Sequence, residues 1–224
     1  MDQVDIATIR DTSTVEEAKL LLHASITPSD RINDALDFAT KAHIEQFRKS
    51  GEPYIIHPIL VASIVANITE DESMVMAALL HDVVEDTPVT IEEVKERYGD
   101  DVAHLVGGLT KIDSLRDQNL VSSASDEKLI VSALSFRKML LASIEDVRVL
   151  VVKLCDRLHN MLTLDALPPH KQERIAEETL VVYAPVAHRL GISFVKNLLE
   201  DLSFKYVFPH EEQEIEKYLS ENYH

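Results

Sequence analysis

One cysteine, Cys155, stands in 224 residues. A lone thiol closes no intrachain disulfide, which fits a reducing cytosol. Glycine is scarce, at 5 residues, beside 8 prolines. An all-β sandwich or barrel needs more turn-formers than that, so long helices are favoured. Positive charge is also short. Lys and Arg number 22 against 39 Asp and Glu, a formal net charge of −17. Such a field repels phosphate backbones and argues against nucleic-acid binding through bulk charge. Long apolar runs are missing too. The stretch 149–154 has a lysine inside it and falls far short of the ~20 residues that a bilayer span requires. The opening MDQVDIATIRD is acidic and has no apolar core of a signal peptide. The expectation is a cytoplasmic protein with no membrane partner. What is present is ordinary core material: 46% of residues are hydrophobic, enough for one large domain or two small ones.

The apolar pattern predicts helices throughout. Ser13 and Thr14 ahead of Glu16 and Glu17 mark one start. Pro28 opens another, with Ile32, Leu36, Ala39 and Ala42 at steps of three and four. Gly51 and Pro53 break the pattern after Arg48-Lys49-Ser50. The run from His57 to Ala66 is apolar on most sides, which predicts burial. A single helix is predicted over 71–86, ended by Pro88. Thr90 and Glu93 form a capping box, and Gly99 ends the short helix behind it. A helix from Val102 to about Thr110 comes next. Residues 112–126 are rich in Ser and Asp without a sustained period, and read as a loop that serves as lid or switch. Helices are then predicted over 127–143, 147–164, 170–189 and 193–204, with an acidic amphipathic tail over 210–222. The fold class is all-α, about ten helices in a single domain over 1–208, with 209–224 as a helical junction.

The chemistry concentrates in Leu79-Leu80-His81-Asp82-Val83-Val84-Glu85-Asp86-Thr87, where ionisable residues interrupt an apolar helix. On a helix, His81 and Glu85 share a face, as do Asp82 and Asp86. Carboxylates in apolar surroundings are costly unless something positive neutralises them. Adjacent His and Asp supply the nitrogen and oxygen that a divalent metal takes. Two other segments have the same style. His57 opens an apolar helix, and Asp156 interrupts the apolar run 151–155. His57, His81, Asp82 and Asp156 together would offer two imidazoles and two carboxylates, whose formal charge balances a divalent ion. Mixed N and O donors without thiolate suit Mn²⁺, with Fe²⁺ and Zn²⁺ as the other candidates.

His57, then His81-Asp82, then Asp156 resembles the HD superfamily of metal-dependent phosphohydrolases. The flanks narrow the resemblance. Arg48 to Tyr54, His81 to Thr87, Lys153 to Leu164 and Tyr183 to Gly191 are similar to the hydrolase domain of the Rel/Spo alarmone enzymes, over about residues 28 to 208. That likeness implies Mn²⁺-dependent removal of the 3′-pyrophosphate of (p)ppGpp, giving GDP or GTP and pyrophosphate. A metal in such a site acidifies water and polarises a phosphoryl oxygen. The resemblance assigns Glu85 and Asp86 to the attacking water or to proton shuttling. It places Arg48, Lys49 and Ser50 around the guanine, Asn160 and Thr163 at sugar and base, and Arg137 and Lys138 at phosphate, with Lys111 a further cation. Lys153 and Arg157 flank Asp156 and add local positive charge, which matters more than distant acids because screening acts over ~8 Å. Two positions depart from the family: Cys155 replaces the usual Ala, and Leu162 replaces an Arg beside the nucleotide site. Longer members continue into a C-terminal synthetase and regulatory region, toward which 209–224 would lead.

Each residue also has an ordinary structural role open to it. His57 before Pro58 suits a core or capping histidine, and Asp156 suits a salt bridge to a neighbour such as Arg157. Glu85 and Asp86 suit solvated helix-end acids, though a helix C-terminus disfavours negative charge. His159 follows Asp156 by three and is expected to make a structural hydrogen bond. Cys155 lies in a run predicted to be buried, against a nucleophilic role. The competing functions are another HD phosphohydrolase, acting on dNTPs or cyclic nucleotides, and a nucleotide-binding regulatory module.

Overall fold

The computed structural model describes residues 6–117, 133, 134, 136, 137, 139, 141, 145 and 146–222. The chain forms two compact units, Met1–His159 and Asn160–His224. The described residues are helical, with one isolated extended bridge, Phe47 to Pro53. None of the described helices is long and apolar enough to cross a membrane.

The first unit opens with α1 (Ile6–Asp11) and α2 (Val15–Ser25). Thr14 caps α2: its hydroxyl accepts from Glu17 N–H, and the Glu17 carboxylate accepts from Thr14 N–H, the reciprocal capping box. Ser29 caps α3 (Asp30–Ala42), which buries Ile32, Ala35, Leu36 and Ala39. The first unit's core is built around α4 (Ile56–Ile68), buried from Ile56 to Ala66 without a break. It packs on α2 and on α5 (Glu72–Leu80), itself buried from Met74 to Leu80.

The unbroken helix expected over 71–86 is not formed. α5 stops at Leu80, His81 and Asp82 form a turn, and α6 (Val83–Asp86) starts again with Asp86 N–H on the Asp82 carbonyl. The local cause is the imidazole. His81 Nδ1 lies 2.7 Å from the Ala78 carbonyl, the acceptor that Asp82 N–H would use in a continuous helix. The His-Asp pair therefore sits at a break between two helices.

The capping box at Thr90 and Glu93 opens α7 (Ile91–Tyr98), and Gly99 ends it at φ 92°. α8 (Asp100–Asp117) runs past its expected end near Thr110, so the first part of the stretch expected to be a loop is helical. No Gly or Pro follows Gly108 within α8, and Ser and Asp weaken a helix by tenths of a kcal/mol (roughly 0.5–0.7) without stopping it. Residues 118–126, the rest of that expected loop, and most of the helix expected over 127–143 lie outside the described residues.

α9 (Val147–Leu162) packs on α8 at Gly108, where an added Cβ would stand 2.8 Å from Val149 Cγ2. Arg148 fastens the start of α9. Its guanidinium pairs with Asp146, with Asp101 in the first turn of α8 and with Asp71, the N-cap of α5. Acids at helix starts are well placed electrostatically.

The second unit holds the end of α9, a 3₁₀ turn at Leu164–Ala166, α10 (Pro169–Glu178), α11 (Ala184–Arg189), α12 (Ser193–Val207) and α13 (Pro209–Asn222). The helix expected over 170–189 is present but relaxes into a π turn at Thr179–Tyr183. α12 packs on α10 and α11 and buries Val195 and Leu199.

Candidate metal centre

Three separated segments of the first unit bring their polar atoms together. His57 is delivered by the first turn of α4, His81 and Asp82 by the α5–α6 break, and Asp156 by α9. His57, His81 and Asp82 each offer a donor atom within 4.8 Å of the others. Asp156 Oδ1 lies 3.2 Å from His57 Nε2 and 3.9 Å from His81 Nε2. Asp82 Oδ2 lies 3.2 Å from His81 Nε2 and 3.7 Å from His57 Nε2. Donors that share one ion at ~2.1 Å each stand about 3–4 Å apart, so these separations fit a common cation.

Each of the four is held from behind. His81 Nδ1 donates to the Ala78 carbonyl, which can only accept. Nδ1 therefore carries a proton whatever the charge of the ring, and Nε2 is the nitrogen left for a metal to take. His57 Nδ1 meets His159 Nδ1 at 2.8 Å, the structural hydrogen bond expected of His159. Tyr54 donates its hydroxyl to Asp82 Oδ2 at 2.7 Å and reaches Asp86 Oδ2 at 3.1 Å. Lys153 Nζ donates to Asp156 Oδ2 at 2.7 Å, which leaves Oδ1 facing the histidines. Such outer partners orient metal ligands and tune them.

The electrostatics call for a cation. Burial works to lower His81, but the charge of Asp82 and Asp156 outweighs it and raises the imidazole to about 10. Burial works against the charged forms of Asp82 and Asp156; His81 holds the first well below the usual carboxylate range and Lys153 the second. His57 and His159 are lowered by burial and stay neutral. Buried His81 Nε2 has no hydrogen-bond partner although it faces Asp82. A proton on His81 is what the protein has at hand to balance its carboxylates. A divalent ion would balance them better and would take the place of the Nε2 proton. The donors are N and O only; the Cys155 thiol beside Asp156 is buried and its ionisation suppressed by that burial.

The other predicted residues divide. Asp86 is one turn past the ligands and joined to Asp82 through Tyr54; burial and then the Asp82 charge raise its carboxyl. Glu85 is exposed on the same turn. Arg48 lies near enough to lower His57 and His159 through its charge, and stands half-buried 3.9 Å from Glu52. It belongs to a tight turn closed by Arg48 N–H on the Glu52 carbonyl, with Gly51 at φ 100°. Lys49 is exposed, and Ser50 donates to Glu52. Arg137 is exposed, and Lys138 lies outside the described residues. Lys111 is exposed and pairs with Glu145 at 3.8 Å. Asn160 and Thr163 are half-buried in the second unit, where Leu162 is buried. Asp156 pairs with Lys153, three residues back, so this lysine, expected among the cations for substrate, is turned to a ligand.

Tyr54 as a partner of the carboxylates and Lys153 as the holder of Asp156 were not expected; for His159 a structural hydrogen bond was expected, but not its partner. One signal was available: Lys153, Asp156 and His159 follow at steps of three, which puts them in one row on a helix. The links of Tyr54 to Asp82 and of His159 to His57 join residues far apart in the chain and had no local signal.

This arrangement defines a helical protein with a His/His/Asp group that could hold a divalent metal, and with Asp156 beside it. A family model described as HD domain matches residues 35–193, and the chain belongs to the HD domain family. It is 51% identical over 179 residues to a Haemophilus influenzae protein named guanosine-3′,5′-bis(diphosphate) 3′-pyrophosphohydrolase, covering 80% of this chain and 25% of that protein. An Aquifex aeolicus protein of the same name is 42% identical over 212 residues, 95% of this chain and 29% of its own length. A Myxococcus xanthus protein named GTP pyrophosphokinase is 50% identical over 182 residues, 81% of this chain and 23% of its own. The chain thus spans about a quarter of the length of these curated relatives. A solved structure of a metazoan ortholog of SpoT, described as hydrolysing ppGpp and playing a role in starvation responses, aligns with TM-score 0.57 and 28% identity. It covers 80% of this chain and 96% of that one.

Proposed function

We propose that this chain is a metal-dependent 3′-pyrophosphohydrolase of (p)ppGpp. Water would cleave the 3′ ester to leave GDP or GTP and release pyrophosphate. The observation that carries this reading is the grouping of donor atoms from His57, His81 and Asp82 inside the first unit, with Asp156 Oδ1 3.2 Å from His57 Nε2 and 3.9 Å from His81 Nε2. Relatives named as 3′-pyrophosphohydrolases and a structural neighbour described as hydrolysing ppGpp support the substrate. On this reading the four residues hold Mn²⁺, which supplies Lewis acidity and acidifies water. Asp86, its carboxyl raised, takes or returns a proton beside them, with Glu85 on the same turn. Arg48, Lys49 and Ser50 would receive the guanine, Asn160 and Thr163 the sugar and base, and Arg137 and Lys138 the phosphates. Residues 1–208 would form the cytoplasmic hydrolase domain, and 209–224 would lead toward a synthetase and regulatory region.

The test is purified protein with Mn²⁺ and ppGpp, with dGTP and a cyclic dinucleotide in parallel and the products identified. Release of pyrophosphate and GDP from ppGpp, lost in Asp82→Ala, is the expected result. Turnover of the other nucleotides alone, or full turnover by Asp82→Ala, overturns the reading.

A further inference from the structure

We infer that His159 is a positioning residue: it sets which nitrogen of His57 is left bare to receive the metal. The inference rests on the metal reading above and deepens it. The two rings are buried, 4.8 Å apart and inclined at 52°, with Nδ1 facing Nδ1 at 2.8 Å. Two N–H groups cannot point at each other at that distance, so one nitrogen donates and the other presents a lone pair. Two arrangements satisfy this. If His159 donates, the proton of His57 sits on Nε2, 3.2 Å from Asp156 Oδ1, where it makes a hydrogen bond and blocks coordination. If His57 donates, its Nε2 is bare and faces both carboxylates. Only the second can bind a metal.

His81 needs no such help, because a backbone carbonyl fixes its proton. His57 has an imidazole in that place. The metal-binding form therefore depends on His159 accepting at Nδ1. α9 presents the parts in one row: Lys153 holds Asp156, Asp156 faces the histidines, and His159 reaches back to His57.

The experiment compares wild type, His159→Phe and His159→Asn as the full chain. Mn²⁺ affinity is read by electron paramagnetic resonance and the fold by circular dichroism. Phe keeps a ring without a lone pair; Asn offers an amide oxygen near the place of Nδ1. His159→Phe should bind Mn²⁺ on the order of 10- to 100-fold more weakly, and His159→Asn should stay within a few-fold of wild type. Equal binding by wild type and His159→Phe overturns the inference, as does equal loss in both variants, which would mark a packing role. Wild type that binds no Mn²⁺ overturns the metal reading itself, before any variant is compared. Should the Phe variant not fold, ¹⁵N spectra of wild type loaded with Zn²⁺ decide: a bare Nδ1 on His159, with its proton on Nε2, supports the inference, and a proton on His159 Nδ1 overturns it.

Discussion

Lys153→Met is the sharpest probe of how the centre is balanced. Lys153 and Asp156 are 4% and 5% exposed, with Nζ and Oδ2 2.7 Å apart. Met fills a volume close to that of the lysine stem but removes the charge. Breaking a buried pair from one side takes from the carboxylate the cation that most lowers it and costs about 3–5 kcal/mol. At roughly 2–4 °C per kcal/mol for a chain of this size, the melting temperature should fall by about 6–20 °C. Two further readings fix the cause. Mn²⁺ should raise the melting temperature of the variant more than that of wild type, because Lys153 no longer opposes a cation beside Asp156 and tighter binding gives a larger shift. Lys153→Met combined with Asp156→Leu should recover much of the loss, since apolar replacement of both partners of a buried pair is often neutral. The assay is calorimetry of all three proteins with and without Mn²⁺. A single variant within 1 kcal/mol of wild type by this measure, or a double variant no better than the single, refutes the reasoning.

Adjacent glycines of α8 should respond with opposite signs. A Cβ on Gly107 meets nothing nearer than 3.9 Å, so Gly107→Ala should stabilise by up to ~1 kcal/mol through helix propensity. Gly108→Ala drives into Val149, whose branched side chain is stiff, and should cost about 1–3 kcal/mol of overpacking against that gain; equal stabilisation of both in urea titrations would refute this. Acid should erase the advantage of Arg148. Hydrogen bonding to Arg148 lowers Asp101 from 3.8 to about 2, so the folded state binds fewer protons than the unfolded one there. The stability from this pair is whole above the unfolded value and lost as pH falls toward 2. Urea titrations should therefore show the gap between wild type and Arg148→Met narrowing below about pH 4, and a constant or widening gap would count against the ion cluster.

The sequence was most legible where a local rule decides. Thr14 with Glu17, and Thr90 with Glu93, are capping boxes in the chain and in the fold. Gly99 ends its helix at positive φ as expected. The run from His57 to Ala66 is buried because it has no polar face to show water. One reading failed where a side chain competes with the backbone. Periodicity carries Leu79 and Leu80 smoothly into Val83, yet the His81 ring takes the Ala78 carbonyl and breaks the helix at the two residues that matter. α8 outran its expected end because poor helix formers are not stop signals. At the candidate site, ligand types were visible as ionisable residues in apolar runs. Their partners were not, because which carboxylate Tyr54 meets is decided only once α4 stands beside the α5–α6 break.

The four holding contacts are of two kinds, and the difference matters for assembly. Ala78 with His81, and Lys153 with Asp156, join residues three apart on one helix and form with local structure. Tyr54 with Asp82, and His57 with His159, cross between segments 28 and 102 residues apart. Each segment alone thus presents a ligand whose direction is half determined. The remaining freedom is removed only when α4, the α5–α6 break and α9 pack together. A metal at this point would contact all three segments, so its binding energy would be shared with the packing of the first unit. The apolar burial of α4 and α5 must meanwhile hold two like-charged carboxylates close together before any ion arrives. That opposition gives a physical reason for two helices with long buried runs to lie beside this charged cluster: burial supplies the stability that the ion-free site gives up.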